Sequence, residues 1–256
     1  MIKLVENEGE RLCEFCARDA FGTKLAGYYK TFGTDFPFAL FWLQLSGERV
    51  TAAVCRIYGS AVVCASDETD FTELSQFLSA VGFSVLSCSL PVCRKLGFEP
   101  MRQGNIVEFK APAKSAEGTA ELPCYPELPP LYDLLVSSGF ENLGERGEWM
   151  ADISARMRCG VAQWCVAKHD GSLAACACAL FITDEAAFMG CVAADPAHRG
   201  EGLGTEVVLT LANELCVKRR VNLFCKDGEI VNFYKKLGFE VVGRWAECEY
   251  IGQVNI

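Results

Sequence analysis

The clearest chemistry in this 256-residue chain sits in the eleven residues from Asp195 to Thr205, DPAHRGEGLGT. Gly200, Gly202 and Gly204 alternate, leaving three positions where no side chain shields the backbone amides. Exposed amides in a tight turn wrap an anion. Directly afterwards Val207, Val208, Leu211, Ala212, Leu215 and Cys216 recur at three-to-four-residue spacing, the apolar stripe of a helix that starts between Gly202 and Thr205. The positive end of that helix points at the same anion, so the pattern is that of a phosphate cradle. The plain alternative is a glycine-rich turn between a strand and a helix with no ligand.

Two phosphate motifs fail on the residues present. A Walker A loop needs a lysine after its last glycine, and Gly204 is followed by Thr205 and Glu206. A dinucleotide fingerprint counted from Gly200 needs glycine or alanine where Thr205 stands. What remains is Arg199, Gly202 and Gly204 in the spacing RxxGxG, with Pro196 upstream and the strand-like run FMGCVAA before it. This resembles the pyrophosphate loop of the GNAT family of acyl-CoA-dependent N-acetyltransferases. Further on, FCKDGEIVNFYKKLGFEVVG, with its FYxKxGF core, resembles the segment that closes the same fold.

The resemblance implies acetyl-CoA as co-substrate and the primary amine of a small molecule or peptide as acceptor, attacked directly. It assigns pyrophosphate contacts to Arg199, Gly200, Glu201, Gly202, Leu203, Gly204 and Thr205, and pantetheine contacts to the main chain of Val192, Ala193 and Ala194. One of those strand amides would face the thioester oxygen. Tyr234 falls at the family's tyrosine; a phenol of ordinary pKa ~10 can donate to a thiolate whose conjugate acid lies near ~8.5. The competing role for Tyr234 is packing of the short helix. The resemblance also counts Tyr234 and Asp227 among the cofactor-binding residues, though Asp227 stands where the family usually has asparagine, and Ile230 where it often has alanine. Family members often carry a glutamate on the strand before the loop, and AAFMGCVAA has none. Glu185 just before it, or Glu247 or Glu249, is then the candidate base. An acyl-cysteine route through Cys191 or Cys225 has no evident activating neighbour. With two histidines, His169 and His198, a Ser/His/Asp hydrolase has little support. The rival of another class is a non-catalytic acyl-CoA-binding or sensing protein.

Composition narrows the partners. Apolar residues make up 51% and charged residues 22%, as in well-packed globular proteins. A net charge of −9 offers no field for nucleic acid or acidic membranes. The longest apolar stretch, Leu173 to Ile182, is too short to cross a bilayer, and MIKLVENEGER is too charged for a signal peptide, so a cytoplasmic location is expected. Most of the 15 cysteines lie in apolar runs and read as small core residues. Cys13 and Cys16 have CxxC spacing without a second pair, so no metal is expected. The cluster Lys218, Arg219, Arg220 reads as the cationic end of the long helix.

The chain also repeats itself. CRKLGFEP from Cys93 echoes YKKLGFEV from Tyr234, and WLQLSGERVTAAVC from Trp42 echoes WCVAKHDGSLAACAC from Trp164. The turn glycines Gly47 and Gly171 lie 124 residues apart and the glycines Gly97 and Gly238 lie 141 apart, so the second half carries 17 extra residues between these landmarks, in an interval that contains the glycine loop. The corresponding first-half region, ASDETDFTELSQFLSAVGF, is acidic and has no glycine cluster. We therefore expect an α/β (α+β) chain of two GNAT-like domains, each a mixed, mainly antiparallel sheet flanked by helices. Residues 1–110 would form a degenerate domain without the loop, 111–130 a proline-rich linker, and 131–256 the catalytic domain. The expected order in the second half is two helices near 131–138 and 147–158, strands 161–168, 173–183 and 186–194, a long helix to Arg219, a strand 221–225, a short helix 229–237 and terminal strands from Phe239.

Overall fold

A computed structural model describes residues 1–110, 118–141 and 143–249. Its elements are β1 (Ile2–Leu4), α1 (Gly9–Cys16), α2 (Ala20–Phe32), β2 (Ala39–Ser46), β3 (Arg49–Ile57), β4 (Ser60–Ala65), α3 (Phe71–Val81), β5 (Val85–Ser89), α4 (Leu90–Lys95), β6 (Arg102–Phe109), α5 (Leu128–Ser137), α6 (Arg146–Arg158), β7 (Gln163–His169), β8 (Ser172–Ile182), β9 (Ala186–Ala194), α7 (Leu203–Cys216), β10 (Arg220–Cys225), α8 (Glu229–Lys236) and β11 (Phe239–Glu249). The repeat inferred from the two echoes is visible as order: α1, α2, β2, β3, β4, α3, β5, α4 recurs as α5, α6, β7, β8, β9, α7, β10, α8. In each copy three antiparallel strands precede a helix that crosses over to a parallel strand, β4 beside β5 and β9 beside β10.

The compact units do not follow the expected linear cut. One comprises Met1–Ile106, Phe224–Gly228 and the chain from Val241; the other comprises Val107–Leu223 and Glu229–Glu240. In the first unit the strand order is β1-β2-β3-β4-β5-β11, with β11 antiparallel to β5 from Trp245 opposite Ser89 to Glu249 opposite Val85. The physical reason is edge closure. Without β11, β5 would present unpaired amides and carbonyls along one side. With it, Ala246 and Cys248 enter a core shared with Trp42, Val54, Leu74 and Leu86, and the Cys248 sulfur lies 3.1 Å from that of Cys93.

In the second unit the order is β10-β9-β8-β7. Alternation sends Trp164, Val166, Cys176 and Cys178 to the face covered by Leu131 and Leu135 of α5 and Trp149 and Ile153 of α6. The residues between them, Cys165, Ala167, Ala175 and Ala177, are buried on the opposite face, and α7 packs on β7, β8 and β9. The cysteines thus serve as small packing residues, and burial pushes the Cys165 thiol up to about 12.

Two boundaries differ from expectation. Helix α7 ends at Cys216, so Lys218 and Arg219 follow it, with Arg219 Nε donating to the Thr183 carbonyl at 2.7 Å, and Arg220 opens β10. Of the segment 111–130, residues 111–117 lie outside the described residues. The rest is tied to the second unit: Glu121 exchanges backbone hydrogen bonds with Val166 at 2.8 and 2.9 Å, the Ala120 amide donates to the Glu206 carboxylate, and Leu128–Pro130 already belong to α5.

Ending the chain at Glu240 should leave the second unit's sheet intact and uncover the β5 edge. Size-exclusion chromatography is expected to show aggregation, and thermal unfolding an early transition absent from the full chain. A monodisperse species with an unchanged melting profile would contradict the closing role of β11.

Candidate functional site

Glycine chemistry shapes the start of α7. Gly202 caps the helix in the left-handed region at φ +87°, and no side chain caps the amides that follow. The first intrahelical bond runs from the Glu206 amide to the Gly202 carbonyl at 3.0 Å, which leaves the amides of Leu203, Gly204 and Thr205 for an external acceptor. Gly200 also has positive φ, +89°. A Cβ at Gly200 or Gly202 would meet open space, so glycine is required there by backbone conformation and not by crowding. Asp195 sets the approach to the loop: its Oδ1 accepts from the Ala197 amide at 2.9 Å and caps a 3-10 turn over Pro196–His198.

The strand leading into the loop is split from its neighbour. Cys191 adopts φ +49°, an unusual backbone for a residue with a Cβ, at the point where the β8 register skips a residue: Cys178 faces Gly190 but Cys176 faces Ala193. Such a bulge bends the strand. The parallel ladder between β9 and β10 stops at Met189 opposite Leu223, although both strands run further. From Gly190 to Ala194 the β10-facing edge of β9 is therefore not consumed by the sheet ladder. Together the strand end and the loop enclose a cavity of about 350 Å³, lined by Val192, Ala193, Ala194, His198, Arg199, Gly200, Gly202, Leu203, Gly204, Thr205 and Phe233.

The equivalent place in the first unit is built differently. Five residues, Ser66 to Asp70, connect β4 to α3, where eight, Asp195 to Gly202, connect β9 to α7. Asp70 accepts from the amides of Thr72 and Glu73 at 3.1 and 3.0 Å, so a carboxylate of the chain answers the α3 terminus itself. Its own amide is held by Gln44 Oε1 at 3.0 Å. The 17 extra residues of the second half are accordingly spread over longer strands, a longer helix and longer connections, the glycine loop being one part.

Nine of the residues singled out in the sequence, Val192 to Ala194, Arg199, Gly200 and Gly202 to Thr205, meet around this cavity. The Glu201 carboxylate instead lies 3.4 Å from His169 Nδ1. Asp227 belongs to the first unit, where its carboxylate accepts from Asn105 Nδ2 at 2.5 Å and Arg244 Nη2 at 3.1 Å. That engagement accounts for an acidic residue where the family usually has asparagine. Tyr234 is only 7% exposed and packs edge-on against Phe239 at 5.5 Å, whereas its neighbour Phe233 lines the cavity. The FY pair drew attention to the tyrosine, and nothing in the sequence distinguished the phenylalanine. Glu185 is exposed on the turn that opens β9, at the opposite end of that strand from Val192–Ala194, roughly 25 Å away at ~3.3 Å per residue. It does not join the loop residues. Glu247 is ion-paired with Arg102 at 2.8 Å, and Glu249 is exposed at the end of β11. Burial pushes the Cys191 thiol up to about 12 and, with Asp227 nearby, the Cys225 thiol up to about 11, which removes the thiolate a nucleophilic route needs.

Comparison with known proteins agrees with this architecture. Residues 161–241 match the sequence profile of the acetyltransferase (GNAT) domain. No curated protein matches the chain in sequence. Among solved structures, the chain is similar to a tandem GNAT protein from the clavulanic acid biosynthesis pathway (14% identity, TM-score 0.61, 96% of this chain and 97% of that one). It is also similar to GCN5-related N-acetyltransferases from Sphaerobacter thermophilus (13%, 0.61, 96% and 94%) and Kribbella flavida (15%, 0.59, 93% and 97%).

Two glycine substitutions separate cradle from scaffold. Gly202→Ala forces a Cβ into the left-handed region, at a cost of about 1–2 kcal/mol, and should weaken binding of a diphosphate ligand by at least about tenfold, equivalent to ~1.4 kcal/mol. Gly204 is helical, and a Cβ there would touch only Ala194 at 4.0 Å. Gly204→Ala should therefore raise stability by up to about 1 kcal/mol. Urea unfolding and calorimetric titration read both; equal effects of the two substitutions would contradict the distinction.

Proposed function

We propose that this chain, which has the fold of tandem GNAT proteins and carries a GNAT acetyltransferase domain over residues 161–241, transfers an acetyl group from acetyl-CoA to a primary amine. The observation that carries this reading is the pairing of an uncapped, glycine-led helix terminus with a strand edge released by the Cys191 bulge. The residues fit the cofactor. Three free amides, the exposed Arg199 and two left-handed glycines suit a diphosphate, and the small side chains of Ala193 and Ala194 allow close approach of a pantetheine arm to the backbone. When bound, acetyl-CoA supplies an acyl thioester with a thiolate leaving group.

The chain's own groups then have distinct tasks. Main-chain groups from Gly190 to Ala194 orient the acyl arm, and an amide among them stabilises negative charge as it develops on the carbonyl oxygen. The family resemblance gives the Tyr234 hydroxyl the return of the proton to the leaving sulfur, although Tyr234 is buried beside Phe239 and Phe233 lines the cavity, so substitution decides the role. The acceptor amine loses its proton to solvent, because β9 carries no carboxylate and Glu185 stands at its far end. That same lack of a carboxylate favours one second reading, a protein that binds acyl-CoA without turning it over. The acceptor is a small molecule or a peptide amine.

Incubation with acetyl-CoA and a panel of amines, monitored by free thiol, should show CoA release that depends on the acceptor. Binding without release would favour the sensor reading. Tyr234→Phe preserves the ring packing and should lower kcat by about 10²-fold or more, with KM for acetyl-CoA held within about threefold. Unchanged turnover would leave Tyr234 a packing residue only. Glu185→Gln should retain turnover within about threefold, and a larger loss would restore Glu185 as a base.

A further inference from the structure

We propose that His198 holds the diphosphate as an imidazolium, so that acetyl-CoA binding takes up a proton at an Asp195–His198 pair; the inference rests on the acetyl-CoA reading above. His198 closes the 3-10 turn and lines the same cavity as Arg199 and the free amides of α7. Its Nδ1 is buried without a hydrogen-bond partner. Asp195 Oδ2 faces it at 3.6 Å, beyond hydrogen-bond reach, while Asp195 Oδ1 is held by the Ala197 amide. The carboxylate is thus fixed in place, facing a nitrogen that does not yet donate to it.

A neutral imidazole has one N–H and an imidazolium has two. Protonation therefore provides one donor toward Asp195 and a second for an anion in the cavity. A second imidazole sets a limit on this. His169, at the end of β7, packs against His198 with ring centres 4.3 Å apart and the planes tilted by 36°, and it faces Asp170 Oδ2 at 3.6 Å and Glu201 Oε2 at 3.4 Å. Lys168 beside it is paired with Glu121 at 3.9 Å, and Arg199 follows His198 in the loop. Two imidazolium charges this close repel. A diphosphate adds negative charge on the His198 side, so the proton taken up from buffer on binding goes to His198 and not to His169. These are the chain's only two histidines, and histidine is the side chain whose ordinary titration falls between pH 5 and 8. The step balances as protein, ligand and one proton from buffer giving a protonated complex.

Calorimetric titration with acetyl-dephospho-CoA, whose diphosphate has no group titrating between pH 6 and 8, tests this in two buffers of different ionisation enthalpy. The wild-type chain should take up close to one proton at pH 7.5, with affinity falling up to about tenfold per pH unit above neutrality. His169→Phe keeps a ring against His198 and should keep the uptake. His198→Phe should abolish it and flatten the pH profile, and Asp195→Asn, which retains an acceptor for the Ala197 amide, should reduce it. Tight binding with no proton uptake overturns the inference and leaves the acetyl-CoA reading standing. No binding at any pH overturns both. Uptake that survives in His198→Phe but disappears in His169→Phe overturns the assignment to His198. If His198→Phe does not fold, the wild-type and Asp195→Asn titrations decide the question.

Discussion

An α-helix leaves its first backbone amides without partners inside the helix, and whatever satisfies them decides what the helix end can do. In the first unit Asp70 satisfies two of those of α3, the amides of Thr72 and Glu73, so a carboxylate of the chain already sits at that terminus. In the second unit Gly202 has no side chain to offer and adopts the left-handed conformation, with φ +87°. One residue type at the cap thus separates two units built in the same element order. An internal carboxylate stabilises the fold and occupies the site; a glycine gives up that stabilisation and leaves donors that only an acceptor from outside the helix can satisfy.

The released strand edge depends on a second local departure. A parallel pair such as β9 and β10 would ordinarily continue its ladder to the strand ends. The Cys191 bulge interrupts it after Met189, and a left-handed non-glycine residue persists only where its surroundings hold it. Those surroundings are the close-packed sheet itself. Trp164, Cys176, Cys178 and Ala193 fill one face against α5 and α6, and the small residues Cys165, Ala167, Ala175 and Ala177 let α7 lie close on the other. The abundance of alanine and cysteine in β7, β8 and β9 follows from that close approach, which also fixes where the α7 terminus sits relative to the end of β9.

Local signals carried much of this in the sequence. Helix periodicity, glycine spacing and the two echoes act over a few residues, and they located the loop, α7, the order of the second unit, the relatedness of the first and nine of the residues around the cavity. What they missed depends on partners distant in sequence. The strand character of Phe239–Glu249 was readable, but its pairing with β5 is a choice of edge that no local pattern states. Asp227 stood out as an unusual residue in a familiar segment, while Asn105 and Arg244, the groups that make sense of it, lie far along the chain. Glu185 was chosen for closeness in sequence, yet a strand moves ~3.3 Å per residue and carries neighbours apart quickly. Phe233 and Tyr234 are adjacent, and only packing distinguishes the one lining the cavity from the one buried beside Phe239.

Charge completes the argument about the ligand. A chain of net charge −9 repels a polyanion at long range, and at physiological salt that repulsion is screened beyond about 8 Å. For the diphosphate of the proposed co-substrate, attraction would then come from groups in direct contact, and the start of α7, Arg199 and His198 line the cavity. The carboxylates nearby are not at odds with this. Asp195 has one oxygen committed to the turn and the other facing His198, and Glu201 is turned toward His169. Both acids are therefore directed at an imidazole or a backbone amide and not at the amides of the helix terminus.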